Sequence, residues 1–389
     1  MLPAPPPPDV PVSELRIRLN AVRREMERDG IDILILTDQK NIEYFTDYRT
    51  LTWEYNARPL FCLIDQRDFV MIASRIETRN LASKECAFSV VLYDGYLAEA
   101  VHTLVAAIAV RDALSKATVA IDYGQDMFGR GCLELFHALA ARASRKPVES
   151  GAPAIWRVRM FKSPFEARLK QTAFEIVNSA FDEAIARARL GVTELDLCRD
   201  VQARTIAKGA DHAAPITMLF GRGDFVFNRP AGTRMLKPGE YLWTDFRAPY
   251  GGYPADRNRI ARAGKPETWE VEIYSKTRAV TTQLAQSVRA GMTCGDVFSA
   301  FERVWCDAAL PPVYGLVSRI GHGGGLDVTE PPSIAKHSPE LIKPGMILHL
   351  EPKIEVGGAV FQFEEVIHVR EDDVVFLSAL APEEIPVVG

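Results

Sequence analysis

The sequence predicts two domains, an α/β domain at the N-terminus and an α+β domain built on an antiparallel sheet after it. Three observations carry this. At 389 residues the chain exceeds one ordinary compact core. Its first part alternates short apolar runs with helical periodicity, the pattern of an α/β layer. From residue 216 onward it turns β-rich and doubles back at glycines, as hairpins do.

In chain order, residues 1–10 form a proline-rich arm of polyproline character, expected to be an unstructured tail. From Ser13, the apolar positions Leu15, Ile17, Leu19, Val22 and Met26 recur at helical spacing, and Gly30 is a plausible C-terminal cap. Strand-like runs follow at 31–36, 60–64, 69–72, 88–92 and 118–121, with helical stretches at 97–114 and 133–143. Residues 148–164, with Gly151 and Pro153, read as the joint, so the domains are expected at 11–155 and 156–389. Helices are predicted at 165–190, 194–208, 267–290 and 294–309.

The informative residues lie in two predicted hairpins. Asp245 and Asp256 are equidistant from a turn centred between Tyr250 and Gly251. On an antiparallel pair they would face each other with Cβ atoms about 5 Å apart. Glu351 and Glu364 are equidistant from Gly357-Gly358 in the same way. One acidic pair across a hairpin is ordinarily a solvated face. Two such pairs flanked by apolar strands call for something that neutralises them, and a divalent cation does so economically. His322, in the glycine-rich run Gly321 to Gly325, completes a mixed oxygen and nitrogen set suited to Mn, Fe, Co or Zn.

At this point the residues resemble the creatinase/aminopeptidase P family of metallohydrolases, whose catalytic domain has the pita-bread fold. Gly321-His322-Gly323-Gly324-Gly325-Leu326-Asp327-Val328 and Gly345 through Glu351-Pro352 carry the likeness. The segment Val158 to Glu166 resembles the family's entry helix, and Asn41 to Thr46 matches the N-terminal domain more loosely. The resemblance implies two divalent metals held by Asp245, Asp256, His322, Glu351 and Glu364, with Asp256 and Glu364 bridging and a bridging hydroxide as nucleophile. It also implies a homodimer.

The departures from the family pattern bear on the substrate. Peptidases of this family carry further histidines near the metals, where this chain has Phe227-Asn228-Arg229, Ser318 and Thr329-Glu330. Those histidines steady the scissile carbonyl and its oxyanion. Their loss beside an intact ligand set points to a small-molecule substrate that is not a peptide. His349 and His368 are candidate substitutes, since strand alternation turns both to the Glu351/Glu364 face, although packed core histidines are as common. Arg247, two residues from Asp245, is a candidate clamp for a substrate carboxylate, or the partner of a ligand carboxylate or Glu365. Trp53, Tyr55 and Arg58 form a polar-aromatic stretch that, by the family resemblance, contacts substrate across subunits, an ordinary packed loop being the alternative.

The leading expectation is hydrolysis of a C–N bond in a small polar metabolite, with Glu351 handling the proton and Arg247, His349 and His368 assisting. An Xaa-Pro aminopeptidase or dipeptidase is the second reading. A lyase resembling the dimethylsulfoniopropionate lyase of this fold is the third, and a non-catalytic binding module the fourth. Net charge −5 with no block of like charge argues against a nucleic-acid or polybasic membrane surface. The scattered cysteines Cys62, Cys86, Cys132, Cys198, Cys294 and Cys306 suggest a reducing, cytoplasmic setting. The N-terminus lacks the basic start and apolar stretch of a signal peptide, and no apolar run approaches a membrane span.

Overall fold

The computed structural model describes residues 3–83, 87–110, 117–142, 148–227, 229–312 and 318–389. Cys86, Asn228 and the ends of the two helical patterns beyond 110 and 142 lie outside the described residues. The chain divides into two compact units, one of Asp9–Arg159 and one of Met1–Pro8 with Met160–Gly389.

In the first unit, strands β1 (Ile33–Leu36), β2 (Phe61–Ile64), β3 (Phe69–Ser74), β4 (Ser89–Tyr93), β5 (Val119–Ile121) and β6 (Glu149–Ser150) make one mixed sheet in the order β4-β3-β2-β1-β5-β6. β1, β2 and β3 pair antiparallel, and the outer pairings are parallel. Ile33, Ile35, Leu63 and Ile72 pack with Leu104 and Ile108 of the helix Leu97–Ala109 in an apolar core. The helix Val12–Asp29 ends at Gly30 with φ 66°, the left-handed cap expected of glycine. Residues 148–164, read as the joint, contain β6 and the helix Ala152–Arg159, and the division between the units falls after that helix. Pro153 sits in that helix's first turn, where the missing N–H costs nothing.

The second unit is built on antiparallel pairing. Strands β7 (Thr217–Gly221), β8 (Tyr241–Tyr250) and β9 (Tyr253–Ala263) form one sheet, joined in parallel by β17 (Val387–Val388). A second sheet has the order β11-β10-β12-β15-β16, from β10 (Arg319–Gly323), β11 (Glu330–Ala335), β12 (Ile347–Leu350), β15 (Glu365–Val369) and β16 (Val374–Phe376). Between β12 and β15 the chain forms a separate hairpin of β13 (Lys353–Val356) and β14 (Ala359–Gln362). The helix Pro164–Arg187 begins with a capping box of Ser163 and Glu166 and packs on β8 and β9, where Phe181 stacks on Phe246 at 5.2 Å.

The core of this unit dictates which faces are left for chemistry. Leu348, Leu350, Phe361 and Phe363 point into the apolar cluster with Trp243, Tyr274 and Phe301. Alternation then turns His349, Glu351, Gln362 and Glu364 the other way. The proline-rich arm is not a free tail, because Ala4 N–H donates to Lys208 O at 2.9 Å.

Candidate metal centre

The first hairpin turns at Gly251-Gly252, with φ 61° and 81°, so Tyr250 pairs with Tyr253. Asp245 therefore faces Asn258, and Arg247 faces Asp256. This corrects the expected direct pairing of Asp245 with Asp256, which assumed a turn one residue earlier. The pairing slips by two residues, so both aspartates keep the same face and meet on the diagonal. The second hairpin has the expected register: Leu350 pairs with Glu365 and Lys353 with Gln362. Glu351 and Glu364 occupy the gap between these pairings, where the hairpin passes from one sheet to the next.

β10 and β12 bring the two histidines together. His322 pairs with His349, and their rings stack with centroids 4.9 Å apart. The glycines of this loop are sterically required. A Cβ on Gly321 would lie 2.0 Å from His349 O, and one on Gly324 would lie 2.5 Å from His349 Nε2.

Ligating atoms of Asp256, His322, His349 and Glu364 lie within 4.8 Å of one another, all buried. His322 Nε2 is 3.4 Å from Glu351 Oε1 and 3.8 Å from Asp256 Oδ2. Its Nδ1 lies 2.8 Å from Gly323 O, an acceptor only, so Nδ1 carries a proton; Nε2 faces the carboxylates, protonated toward Glu351 when the ring is charged and free to bind a metal when it is neutral. His349 Nδ1 contacts Glu364 Oε1 at 2.6 Å. Burial, followed by the charges of His322 and Lys170, holds His349 well below the ordinary imidazole range, so the ring is neutral and donates through Nδ1 only when the Glu364 carboxyl is ionised.

The carboxyl groups are under strain without a counter-charge. Burial, then the charges of Glu364 and Asp245, pushes Asp256 far up; burial, then Glu351 and Asp245, does the same to Glu364. Burial also raises Asp245. Burial works upward on Glu351 too, but the hydrogen bond and charge of His322 bring its carboxyl below the usual range. Asp245 Oδ1, Asp256 Oδ1, Glu364 Oε2 and His349 Nε2 are buried with no hydrogen-bond partner. Orphaned polar atoms inside a protein are costly, and divalent ions satisfy them, so the donor set fits the metals the family implies.

Several supporting residues were not foreseen from the sequence. Trp243 Nε1–H donates to Gln362 Oε1 at 2.8 Å, and Gln362 Nε2–H reaches Glu351 Oε2 at 3.2 Å. The backbone O of Glu364 accepts from Arg257 at 2.8 Å and Arg259 at 3.4 Å, and both arginines also flank Glu365. Burial first, then Arg259, lowers Arg257 to about 10. Lys162 pairs with Glu330 at 2.7 Å, both buried. Lys170 donates to Pro254 O at 2.9 Å, and burial brings it to about 8. The signal available in the sequence was position, since Gln362 and Arg257 stand two and one residues from ligand candidates.

The remaining sequence candidates are scattered. Among the described residues Arg247 forms none of the ion pairs suggested for it, and Glu365 is taken by Arg257 and Arg259. His368 pairs with Ile347, and its charged neighbours are Arg370 and Lys162 rather than the carboxylate cluster. Trp53, Tyr55 and Arg58 belong to the first unit. Trp53 is buried and carries Arg130 over its ring at 5.6 Å, Tyr55 is exposed, and Arg58 lies over Tyr96 at 4.9 Å. Among the described residues no helix is long and apolar enough to cross a membrane.

Comparison with known proteins agrees with this geometry. Residues 168–371 match the model of metallopeptidase family M24, and residues 18–161 match the creatinase/prolidase N-terminal domain. The chain is 23% identical to the uncharacterized peptidase YqhT of Bacillus subtilis over 90% of this chain and 95% of that one. It is 23% identical to an Xaa-Pro dipeptidase of Lactobacillus delbrueckii subsp. lactis over 88% and 91%. The Xaa-Pro dipeptidase structure from Bacillus anthracis superposes with a TM-score of 0.82 at 18% identity, over 96% of this chain and 100% of that one. With both of its units matched in this way, the chain belongs to metallopeptidase family M24, carries a creatinase/prolidase N-terminal domain on a pita-bread catalytic domain, and is a metal-dependent hydrolase of C–N bonds.

Proposed function

We propose that this chain hydrolyses a C–N bond in a small polar metabolite rather than in a peptide. Asp245, Asp256, His322, Glu351 and Glu364 would hold two divalent ions among Mn, Fe, Co and Zn, with Asp256 and Glu364 shared between them. The observation that carries the ligand assignment is the set of buried, unpartnered oxygens on Asp245, Asp256 and Glu364, with ligand atoms of Asp256 and Glu364 clustered beside His322. Bound ions supply Lewis acidity and a water acidic enough to attack at neutral pH.

The rest falls to the chain. Glu351, with Oε1 turned to His322 and Oε2 held by the Gln362 amide, takes the proton of the attacking water and passes it to the leaving nitrogen. His349, neutral and stacked on His322, donates to Glu364 and keeps that carboxylate in place. His368, beside Lys162, stands apart from this proton path. The non-peptide reading is supported by the positions where peptidases of the family carry histidines. Glu330 is committed to Lys162, and Arg229 is committed to Glu194 at 2.7 Å, so neither is free to serve a scissile carbonyl. The Xaa-Pro dipeptidase reading is favoured by relatives of that name. By the same family resemblance the enzyme is taken as a cytoplasmic homodimer.

The test is elemental analysis of protein purified without chelators, for the native chain and Asp256→Ala. Near-stoichiometric metal that disappears in the variant is expected; a native chain that neither contains nor takes up metal refutes the ligand assignment. Xaa-Pro dipeptides are then compared with small amides, amidines and lactams. Peptide turnover above that of every small amide selects the dipeptidase, and elimination without uptake of water selects the lyase.

A further inference from the structure

Arg247 leaves β8 on the face shared by Asp245 and Asp256, and among the described residues no hydrogen bond or ion pair holds its guanidinium. Its side chain is half-buried, and its Nε is wholly buried without a hydrogen-bond partner. After burial, its charge is the strongest influence on Asp245. Even so, among the described residues Arg247 makes no ion pair and donates no hydrogen bond.

Other arginines of this unit are spent. Arg257 donates to Asn178, Ser378 and two backbone carbonyls, Arg262 pairs with Glu270 at 2.7 Å, and Arg229 pairs with Glu194. Exposed arginines aside, Arg319, at the start of β10, is the other exception among the described residues. It is half-buried, its charge bears on Glu351, and among the described residues it too has no hydrogen bond or ion pair. One unanswered guanidinium thus stands at the Asp245 side of the cluster and another at the Glu351 side. Once the carboxylates are engaged by divalent ions, both arginines are left as uncompensated donors. A planar carboxylate from outside satisfies such a fork with two charge-assisted hydrogen bonds.

We propose that the substrate bears a carboxylate group, gripped by Arg247 in bidentate fashion with Arg319 as a second cation, while its C–N bond is presented to Asp245, Asp256, Glu351 and Glu364. The substrate class is therefore a small amide, amidine or lactam carrying an acid function. This rests on the metal-hydrolase reading above.

The test is a binding titration on Co²⁺-loaded protein, followed by calorimetry and by the visible spectrum of the ion. Three acid and amide pairs serve as probes: N-acetylglycine, N-acetylproline and pyroglutamate, each against its primary amide. At least one acid is expected to bind about 10- to 100-fold tighter than its amide, the range lost with hydrogen bonds to a charged group. Arg247→Met is expected to abolish the preference with cobalt content unchanged, and Arg319→Met to reduce it. Arg247→Lys, which keeps the charge but loses the fork, is expected to retain only part, and it stands in should the Met variant fail to fold. Equal binding of acid and amide in the native chain overturns the proposal. So does a preference undiminished in the Arg247 variants, which means the acid binds the metal directly. Displacement of the acid by an equal concentration of inorganic phosphate marks an indiscriminate anion site and also overturns it. Failure to load cobalt refutes the metal reading separately, and the same titration on metal-free protein still decides for or against Arg247.

Discussion

Gln362 is a neutral residue that governs a charged one. Its amide is oriented at one end by the Trp243 indole and at the other reaches both Glu351 O and Glu351 Oε2 at 3.2 Å. An amide donor favours the ionised carboxylate without offering a proton of its own, and it leaves Oε1 turned to His322. Gln362→Leu, close in volume, is expected to weaken divalent-metal affinity about 10- to 100-fold, the usual cost of losing a partner behind a ligand. Trp243→Phe removes only the N–H that sets the amide's direction, so a smaller loss of the same sign is expected. Calorimetric titration with Mn²⁺ measures both, and native-like affinity in Gln362→Leu would mean that Glu351 is positioned by its backbone alone. Nothing in the sequence marks Gln362, since a glutamine on a strand is unremarkable until its neighbours are known. The ligand candidates were legible because carboxylates opposed across an apolar hairpin need a reason to be there. Trp53 shows what sequence leaves out: an aromatic among polar residues looks presented to a ligand, and its 5% exposure and the Arg130 guanidinium over its ring are known only from the fold.

The two hairpins show how far element geometry follows from sequence. Gly357-Gly358 is a glycine pair with φ 58° and 79°, and the symmetry argument about it gave the observed register. Around Gly251 the same argument chose the wrong centre, because Tyr250 is a strand residue and the left-handed pair is Gly251-Gly252. A slip of two keeps the face, so the aspartates still converged. In the segment read as the joint, Gly151 and Pro153 stand at the start of a helix, and the division between the units falls just after that helix. Gly151 is there for space, since a Cβ would lie 2.4 Å from Leu34 Cδ1, and Pro153 is tolerated in a first helical turn. The turn glycines can be ranked. Gly252→Ala places a Cβ at φ 81° and is expected to cost about 1–2 kcal/mol from left-handed strain. Gly357→Ala carries the same strain, and its Cβ would also lie 2.6 Å from the Trp269 ring, so a larger loss is expected. Denaturant midpoints of the two variants check the order, and equal losses would mean the Trp269 side chain swings away freely.

On the scale of the whole molecule, each unit has its own apolar core, and the second also has a cluster of buried like charges that folding must hold together. Metal removal should therefore be felt as a loss of stability with a definite pH dependence. In the metal-free chain, Asp245, Asp256 and Glu364 have raised pKa values, so above the ordinary carboxylate range the folded state still holds protons that the unfolded state has released. Stability contributed by these groups is full at low pH and is lost as pH rises toward their folded values. His322, also raised, adds a loss of the same sign above about 6.5, while Glu351 acts oppositely and only below about 4.5. Metal reverses the balance, because the ions replace those protons and bind more tightly once the carboxyls are ionised. Thermal unfolding from pH 4.5 to 8, with and without chelator, is thus expected to show a gap between the loaded and stripped chains that widens with pH. With free metal at a thousand times its dissociation constant the gap amounts to about 4 kcal/mol. Asp256→Asn should close most of it and flatten the slope of the stripped chain, since the amide removes one of the two carboxyls most strongly raised. A gap of constant size across the range would mean that the stabilising ion binds elsewhere, away from the carboxyl groups whose protons it is expected to displace.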